Sequence, residues 1–172
     1  MANTDRPLGF IPIGHITGSA IPEPHEYTLT TGSTIYKGDP VVLTSAGTVS
    51  VGAASATTTH IGIAAEYVSD SGSAGGKKIL VFDDPGILYI VQTTNSITTT
   101  VSNIFNTADI VTYAAGSSTT KQSIMELDTP GTSSKPWIIL KLLDAPDNAW
   151  GEFSKVVVKY NQHVFLAPYA GL

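Results

Sequence analysis

Residues 79–91 read Ile-Leu-Val-Phe-Asp-Asp-Pro-Gly-Ile-Leu-Tyr-Ile-Val, and this stretch decides the fold class. Two short apolar runs, 79–82 and 87–91, flank the segment 83–86, in which every residue is of a type favoured in turns. Each run has the length of a strand and is rich in β-branched and aromatic residues, whereas helices need longer periodic segments. The stretch therefore predicts a strand, a tight turn and a second strand.

The same alternation of short apolar runs and turn residues continues on both sides of this stretch. Further strands are predicted near residues 26–31, 40–44, 47–51, 60–68, 109–114, 122–127, 136–143, 154–160 and 163–167, while the runs around the central turn extend to 77–83 and 87–93. A short helical turn over 101–107, capped by Thr100, is the one helix that the sequence favours. Strands repeated at this spacing predict an all-β sandwich or barrel with at most one or two short helices.

The composition of the 172-residue chain limits the classes of function that it can have. Charged residues make up 13% of the chain, against about 25% in typical soluble domains. The net charge is −5 and Arg6 is the single arginine, so no basic stripe is available and direct nucleic-acid binding is not expected. Cysteine is absent, which excludes disulfides and thiol nucleophiles. The sequence shows neither a secretory leader nor a membrane-spanning run, so we expect synthesis in a cytoplasm and no membrane contact.

Residues 1–25 differ in character from the rest of the chain. Four prolines favour an extended backbone here: Pro7, Pro12, Pro22 and Pro24. Six large apolar residues accompany them: Leu8, Phe10, Ile11, Ile13, Ile16 and Ile21. Such a segment is too apolar for a solvated tail, so its side chains must be covered by the chain's own body or by a neighbouring subunit. We therefore predict an extended N-terminal arm, 1–25, and one β-barrel or sandwich domain, 26–172, which could divide into two small β-units, 26–93 and 94–172.

The C-terminal run 156–172 is also unusually apolar for a chain end. Its large side chains near the terminus are Val164, Phe165, Leu166 and Tyr169. We predict that these four residues, together with the six apolar residues of the arm, contact a neighbouring subunit.

A search for catalytic or ligand-binding motifs gives no positive prediction. The four histidines, His15, His25, His60 and His163, lack metal-ligand spacing, so no metal or other cofactor is expected. Asp83 and Asp84 are adjacent, and neighbouring side chains in a strand point to opposite faces, so we interpret both as turn residues. The sequence contains no nucleophile elbow, P-loop or dinucleotide fingerprint. These observations predict a protein that is not an enzyme and has no catalytic, cofactor-binding or metal-binding residue.

Three stretches resemble the capsid decoration (cement) and head-stabilising proteins of tailed bacteriophages. They are Arg-Pro-Leu-Gly-Phe at 6–10 continuing to Gly14-His15, Ile-Tyr-Lys-Gly-Asp-Pro-Val-Val-Leu at 35–43 followed by Gly-Thr-Val at 47–49, and Ile-Gly-Ile-Ala-Ala at 61–65 leading to Ile-Leu-Val-Phe-Asp-Asp-Pro at 79–85. The resemblance implies a small β-barrel or β-tulip-like body that forms a homotrimer. It also implies a location on the outer capsid surface of a virion, where the ten apolar residues named above would contact the capsid or a neighbouring subunit. By binding the major capsid protein there, such a protein cements capsomers against internal pressure.

Two alternatives remain open at this stage. A head fibre or host-adhesion module would bind a surface glycan through exposed loops, and Trp150, in the loop 144–151, is the best candidate for such a contact. A small β-barrel hydrolase would instead require Asp83 and Asp84 to act as general acid and base.

Overall fold

The computed structural model describes residues 3–52, 59–72, 76–96, 98–111, 116–131 and 133–166. This part of the chain forms thirteen strands and one turn of 3-10 helix. The strands are β1 Ile11–His15, β2 His25–Thr28, β3 Thr34–Ile35, β4 Pro40–Leu43, β5 Val49–Val51, β6 His60–Ala64, β7 Val68–Ser69, β8 Lys78–Phe82, β9 Ile87–Gln92, β10 Thr107–Val111, β11 Glu126–Gly131, β12 Trp137–Leu142 and β13 Lys155–Tyr160. The helical turn, Val101–Asn103, starts after Thr100 and is shorter than predicted. The all-β class is confirmed.

The strands form three antiparallel sheets. A six-stranded sheet has the order β1-β9-β13-β12-β10-β11, a five-stranded sheet has the order β2-β8-β6-β4-β5, and β3 pairs with β7. A single bridge between Thr93 and Leu127 brings β11 towards β9, but the sheets do not close into a barrel. The five-stranded sheet comes entirely from residues 25–82, whereas the six-stranded sheet combines residues 87–160 with β1.

The turn at residues 83–86 lies where the sequence predicts it, but its two strands do not pair with each other. β8 belongs to the five-stranded sheet and β9 to the six-stranded sheet, so the turn carries the chain from one sheet to the other. Asp84 stabilises this turn because its Oδ1 accepts a hydrogen bond from the Gly86 amide at 2.7 Å. The short Asp-Asp-Pro-Gly segment therefore connects the two layers of the molecule.

Several predicted strands differ from the observed ones. The strand predicted at 60–68 divides into β6 and β7, and the one predicted at 122–127 lies instead at Glu126–Gly131. Residues 163–166 form no strand, since His163 makes only one bridge, to His60. The ends of the predicted strands 109–114 and 163–167 lie outside the described residues.

Two hydrophobic clusters hold the sheets together. The larger one lies against the six-stranded sheet and is rich in rings: Phe10, Tyr89, Trp137 and Tyr160 are all fully buried. The smaller one lies against the five-stranded sheet and is mainly aliphatic, with Leu29, Ile35, Val41, Ile79 and Val81 among its members. β9 alternates as expected for a strand with one face in the core, since Ile87, Tyr89 and Val91 are buried, whereas Leu88 and Ile90 between them are partly exposed.

The predicted N-terminal arm, where the structure describes it, is docked on the body of its own chain, which is one of the two possibilities that the sequence left open. Residues 11–15 pair with β9 as the outermost strand of the six-stranded sheet. The preceding residues are docked as well, because the Asn3 side chain donates to the carbonyl oxygens of Ala149 and Glu152 at 2.8 and 2.7 Å. The segment is stable on its own chain because the backbone groups of β1 pair with β9 and the Phe10 side chain is buried.

Candidate functional site

The residues predicted to contact a capsid or a neighbour separate into buried and exposed members. Phe10 is 1% exposed and stacks on Trp137 with ring centroids 4.2 Å apart. Its ring is therefore covered by the core of the chain itself. The other five arm residues are exposed by more than a third: Leu8, Ile11, Ile13, Ile16 and Ile21. We call these five residues the N-terminal apolar surface.

The strand β1 explains why two of these isoleucines face solvent. Ile11 lies opposite Ile90 of β9, and Ile90 occupies the face of β9 that does not bear the buried Tyr89. Ile13 lies two residues after Ile11 and is exposed as well, at an irregularity in the pairing between Pro12 and Gly14. Pro12 has no amide hydrogen to offer to a further strand, which protects this outer edge from main-chain pairing. A partner would therefore meet side chains here rather than an open strand edge.

The C-terminal residues also expose apolar side chains while their backbone is fixed. Val164, Phe165 and Leu166 are exposed, whereas Tyr169 lies outside the described residues. We call residues 161–166 the C-terminal strap. The Asn161 amide donates to the Pro136 carbonyl oxygen at 2.7 Å, and the Val164 amide donates to the His60 carbonyl oxygen at 3.0 Å. The strap therefore presents its apolar side chains from a docked backbone.

A third apolar feature was not predicted from the sequence. Val101 and Phe105 project from the loop around the 3-10 turn, and Phe105 is 70% exposed. The loop is fixed, because the Phe105 amide donates to the Ile139 carbonyl oxygen at 2.7 Å. Phe105 also has a φ of 65°, a left-handed backbone conformation that costs free energy for a residue with a side chain. The available signal was the pair of large apolar residues within the uncharged segment 98–108.

Polar side chains converge at the turn between the two sheets. Asp83 is buried and its carboxylate accepts hydrogen bonds from His25 Nδ1 at 2.8 Å and from the Tyr27 hydroxyl at 2.5 Å. Burial and the hydrogen bond to Asp83 raise the pKa of Tyr27 above its usual value. Asp84 contacts His15 instead, with 3.3 Å between Oδ1 and Nε2. The two carboxylates thus engage different partners, as expected for adjacent residues that point apart.

Asp84, His15 and Thr17 follow one another in the order of a catalytic triad, but their hydrogen bonds serve to link two segments of the fold. The Thr17 hydroxyl lies 2.7 Å from His15 Nδ1, so carboxylate, imidazole and hydroxyl follow one another. The Thr17 hydroxyl is also bonded to Ser19, 2.9 Å away, and the Ile16 amide is bonded to the Gly86 carbonyl oxygen at 2.9 Å. These contacts join the end of β1 to the turn at 83–86. Among the described residues, no group of three or more potential metal ligands occurs.

Two grooves adjoin each other near the N-terminal residues. One, of about 340 Å³, is lined by Asn3, Thr98, Trp150, Gly151 and Phe153. The other, of about 380 Å³, is lined by Asp5, Pro7, Asn95, Ile124 and Phe153. Trp150 is partly buried because its ring packs against the larger core cluster. Part of its ring is therefore covered by the chain's own core.

Comparisons with known proteins give no identification. The chain matches no protein-family model, no curated protein sequence and no solved structure. In the part of the chain that the structure describes, no helix has the length and apolar character needed to cross a membrane.

Proposed function

We propose that this chain is a structural virion protein that decorates the outer surface of a bacteriophage capsid. In this proposal it acts as a homo-oligomer, most simply a trimer, and cements capsomers by binding the major capsid protein. The observation that carries the proposal is the set of apolar side chains held in solvent on a fixed backbone, namely the N-terminal apolar surface and Val164, Phe165 and Leu166 of the strap. Clusters of exposed apolar side chains are typical of surfaces that bind other proteins, and four of the five residues of the N-terminal apolar surface fall within residues 8–16.

The energetics suit a protein that holds through many weak contacts. Complete burial of a leucine or isoleucine side chain contributes roughly 1.5–3 kcal/mol. Since these residues are already partly covered, a partner that buries the remainder gains about 1 kcal/mol for each of them. Several such contacts in each subunit, repeated in a linked oligomer, give firm attachment without a single strong site.

The finer architecture and the non-enzymatic character belong to the same proposal. The β body would correspond to the small barrel or tulip-like body of decoration proteins, and the bridge between Thr93 and Leu127 supports this by curling β11 towards β9. The polar cluster at Asp83 and Asp84 is used in cross-links between strands and turns, which argues against its use as a general acid and base. The alternative of a glycan-binding fibre module depends on the Trp150 groove and is less favoured, since that indole packs against the core.

The test is a pair of substitutions on the N-terminal apolar surface with a matched pair elsewhere. Ile13→Ser with Ile16→Ser removes two exposed isoleucines, while Leu43→Ser with Leu80→Ser removes two residues of similar exposure from the five-stranded sheet. Binding is measured by co-sedimentation with empty heads of the phage that encodes the chain, prepared without it. Sedimentation velocity of the purified variants reports their oligomeric state.

We expect the Ile13 and Ile16 variant to bind heads about 30-fold more weakly, because about 2 kcal/mol of contact is lost. The Leu43 and Leu80 variant should bind like the natural chain. Equal binding by all three proteins would refute the assignment of this surface, and failure of the natural chain to bind heads at all would refute the function.

A further inference from the structure

Two buried histidines meet where the C-terminal strap crosses β6. His60 belongs to β6 and is 0% exposed, and His163 belongs to the strap and is 1% exposed. The two residues form a β-bridge, and the amide of Val164 donates to the carbonyl oxygen of His60. On its other side the His60 ring lies against Gly52, where a Cβ would be only 2.9 Å from the imidazole. The strap is therefore bonded to the strand that carries the buried His60 ring.

The environment of His60 suits a neutral imidazole and not a charged one. Its ring lies 6.1 Å from the rings of both Trp137 and Tyr160, between centroids. Neither nitrogen of His60 has a hydrogen-bond partner among the described residues. A charged group in such a place lacks the hydrogen bonds that replace water, so burial strongly disfavours the protonated ring.

His163 is held in its neutral form by the strap itself. Its Nδ1 accepts a hydrogen bond from the Phe165 amide at 3.1 Å, so the ring proton of the neutral form lies on Nε2. Protonation of Nδ1 would replace this acceptor by a donor and set two N–H groups against each other. Charging His163 therefore breaks a hydrogen bond that shapes the strap.

The titratable groups that face the pair come from several elements. Asp83 and Asp84, at the turn between β8 and β9, favour the charged form of His163, as does the Ile61 carbonyl oxygen. Burial outweighs them and lowers the pKa of His163 below its usual value. Burial, and then the charge of His163, lower the pKa of His60 to about 4.

Among the residues that the structure describes, the other neighbours of the pair supply no further negative charge. Burial raises the pKa of Tyr160 on β13 and of Tyr89 on β9, so both hydroxyls stay neutral. β12 contributes Trp137, while Pro40 and Gly52 face the pair from the side of β4 and β5, and none of these three titrates. A proton that enters this cluster therefore remains poorly compensated.

We propose that His60 and His163 form an acid-sensitive latch, in which the neutral rings keep the C-terminal strap docked on β6 and protonation releases residues 161–166. Release exposes the ring cluster beneath the strap and frees Val164, Phe165 and Leu166 to move. The latch operates in the isolated chain and does not require the proposed attachment to a capsid.

The direction and size of the effect follow from the two forms of His60. In the open form the imidazole is solvated and its pKa is near 6.5, whereas in the docked form it is about 4. The open form therefore binds more protons between these values, and docking weakens as the pH falls from about 6.5 towards 4. From pH 7 to pH 5, protonation of His60 alone raises the opening equilibrium about 20-fold.

The experiment measures amide hydrogen exchange of Val164 and Leu166 by NMR in the full chain at pH 7 and pH 5. After correction for the intrinsic exchange rate, we expect the protection of both amides to fall about 20-fold or more. His60→Phe with His163→Asn keeps a ring at one site and a hydrogen-bond acceptor at the other, but neither residue can be charged. This variant should keep its protection at pH 5.

Protection that stays constant between pH 7 and pH 5 in the natural chain would overturn the latch, and so would an equal loss in the double variant. If the double variant does not fold, the ¹⁵N signals of the imidazoles in the natural chain decide the matter. Two rings that are neutral at pH 5.5 with His163 protonated on Nε2 support the latch. Titration of either ring near pH 6.5 without a change in strap protection refutes it.

Discussion

Replacement of Phe10 by alanine tests whether the N-terminal segment belongs to the body of its own chain. The ring is fully buried, stacks on Trp137 at 4.2 Å and meets the edge of the Tyr89 ring at 6.4 Å. Loss of this burial costs roughly 1.5–3 kcal/mol. The cavity and the two aromatic contacts add to this, so we expect Phe10→Ala to lower the free energy of unfolding by about 4 kcal/mol.

The assay is equilibrium unfolding in urea, followed by far-ultraviolet circular dichroism, with a thermal scan in parallel. For a domain of this size, a loss of about 4 kcal/mol lowers Tm by roughly 8–16 °C. Ile13→Ala, in the same segment but with an exposed side chain, serves as the control and should cost less than about 1 kcal/mol. Measurements at two protein concentrations show whether unfolding is coupled to dissociation of the proposed oligomer, since only then does the midpoint depend on concentration. A Phe10→Ala variant within 1 kcal/mol of the natural chain would refute the docked segment.

Two further substitutions test the backbone. A Cβ at Gly62 would lie 2.3 Å from the Phe82 carbonyl oxygen, so Gly62→Ala should force β6 and β8 apart. We expect this substitution to lower the free energy of unfolding in urea by about 2–3 kcal/mol. Gly14 has open space around it, so Gly14→Ala should have little effect. Phe105→Asn should raise the stability of the isolated chain by up to about 1 kcal/mol, since asparagine tolerates the left-handed conformation and the exposed ring contributes little burial. A urea midpoint that falls on Phe105→Asn would contradict this account.

Local features of the fold were predictable from the sequence, and the choice of sheet partners was not. The turn at 83–86 depends on neighbouring residues alone, so its composition was sufficient to place it. The membership of β8 and β9 in different sheets depends on contacts with strands far away in the sequence, namely β6 and β13. β1 was missed because Pro12 argued against a strand, yet an outermost strand tolerates a proline.

The candidate surface was predictable as a group of residues but not residue by residue. Phe10 and Ile11 are both large and apolar, and composition gives no reason to bury one and expose the other. The difference depends on the backbone at Gly9, which has a φ of 65° and where a Cβ would lie only 2.4 Å from the Ser123 Cβ and 2.7 Å from the Gly38 carbonyl oxygen. The His60 and His163 pair was invisible for the same reason, since only the folded chain brings the strap onto β6.

The position of Phe10 beside Ile11 has a consequence for how the proposed surface would bind. An arm that orders only on binding loses conformational entropy at that moment, and this cost reduces its affinity. Here Phe10 and the pairing of β1 with β9 fix the backbone before any partner arrives, so Ile11 and Ile13 would bind with that cost already met in folding. Binding strength and fold stability are therefore coupled through a single strand. A substitution at Phe10 should weaken capsid attachment only as far as it unfolds the chain, whereas substitutions at Ile13 and Ile16 should weaken attachment at unchanged stability.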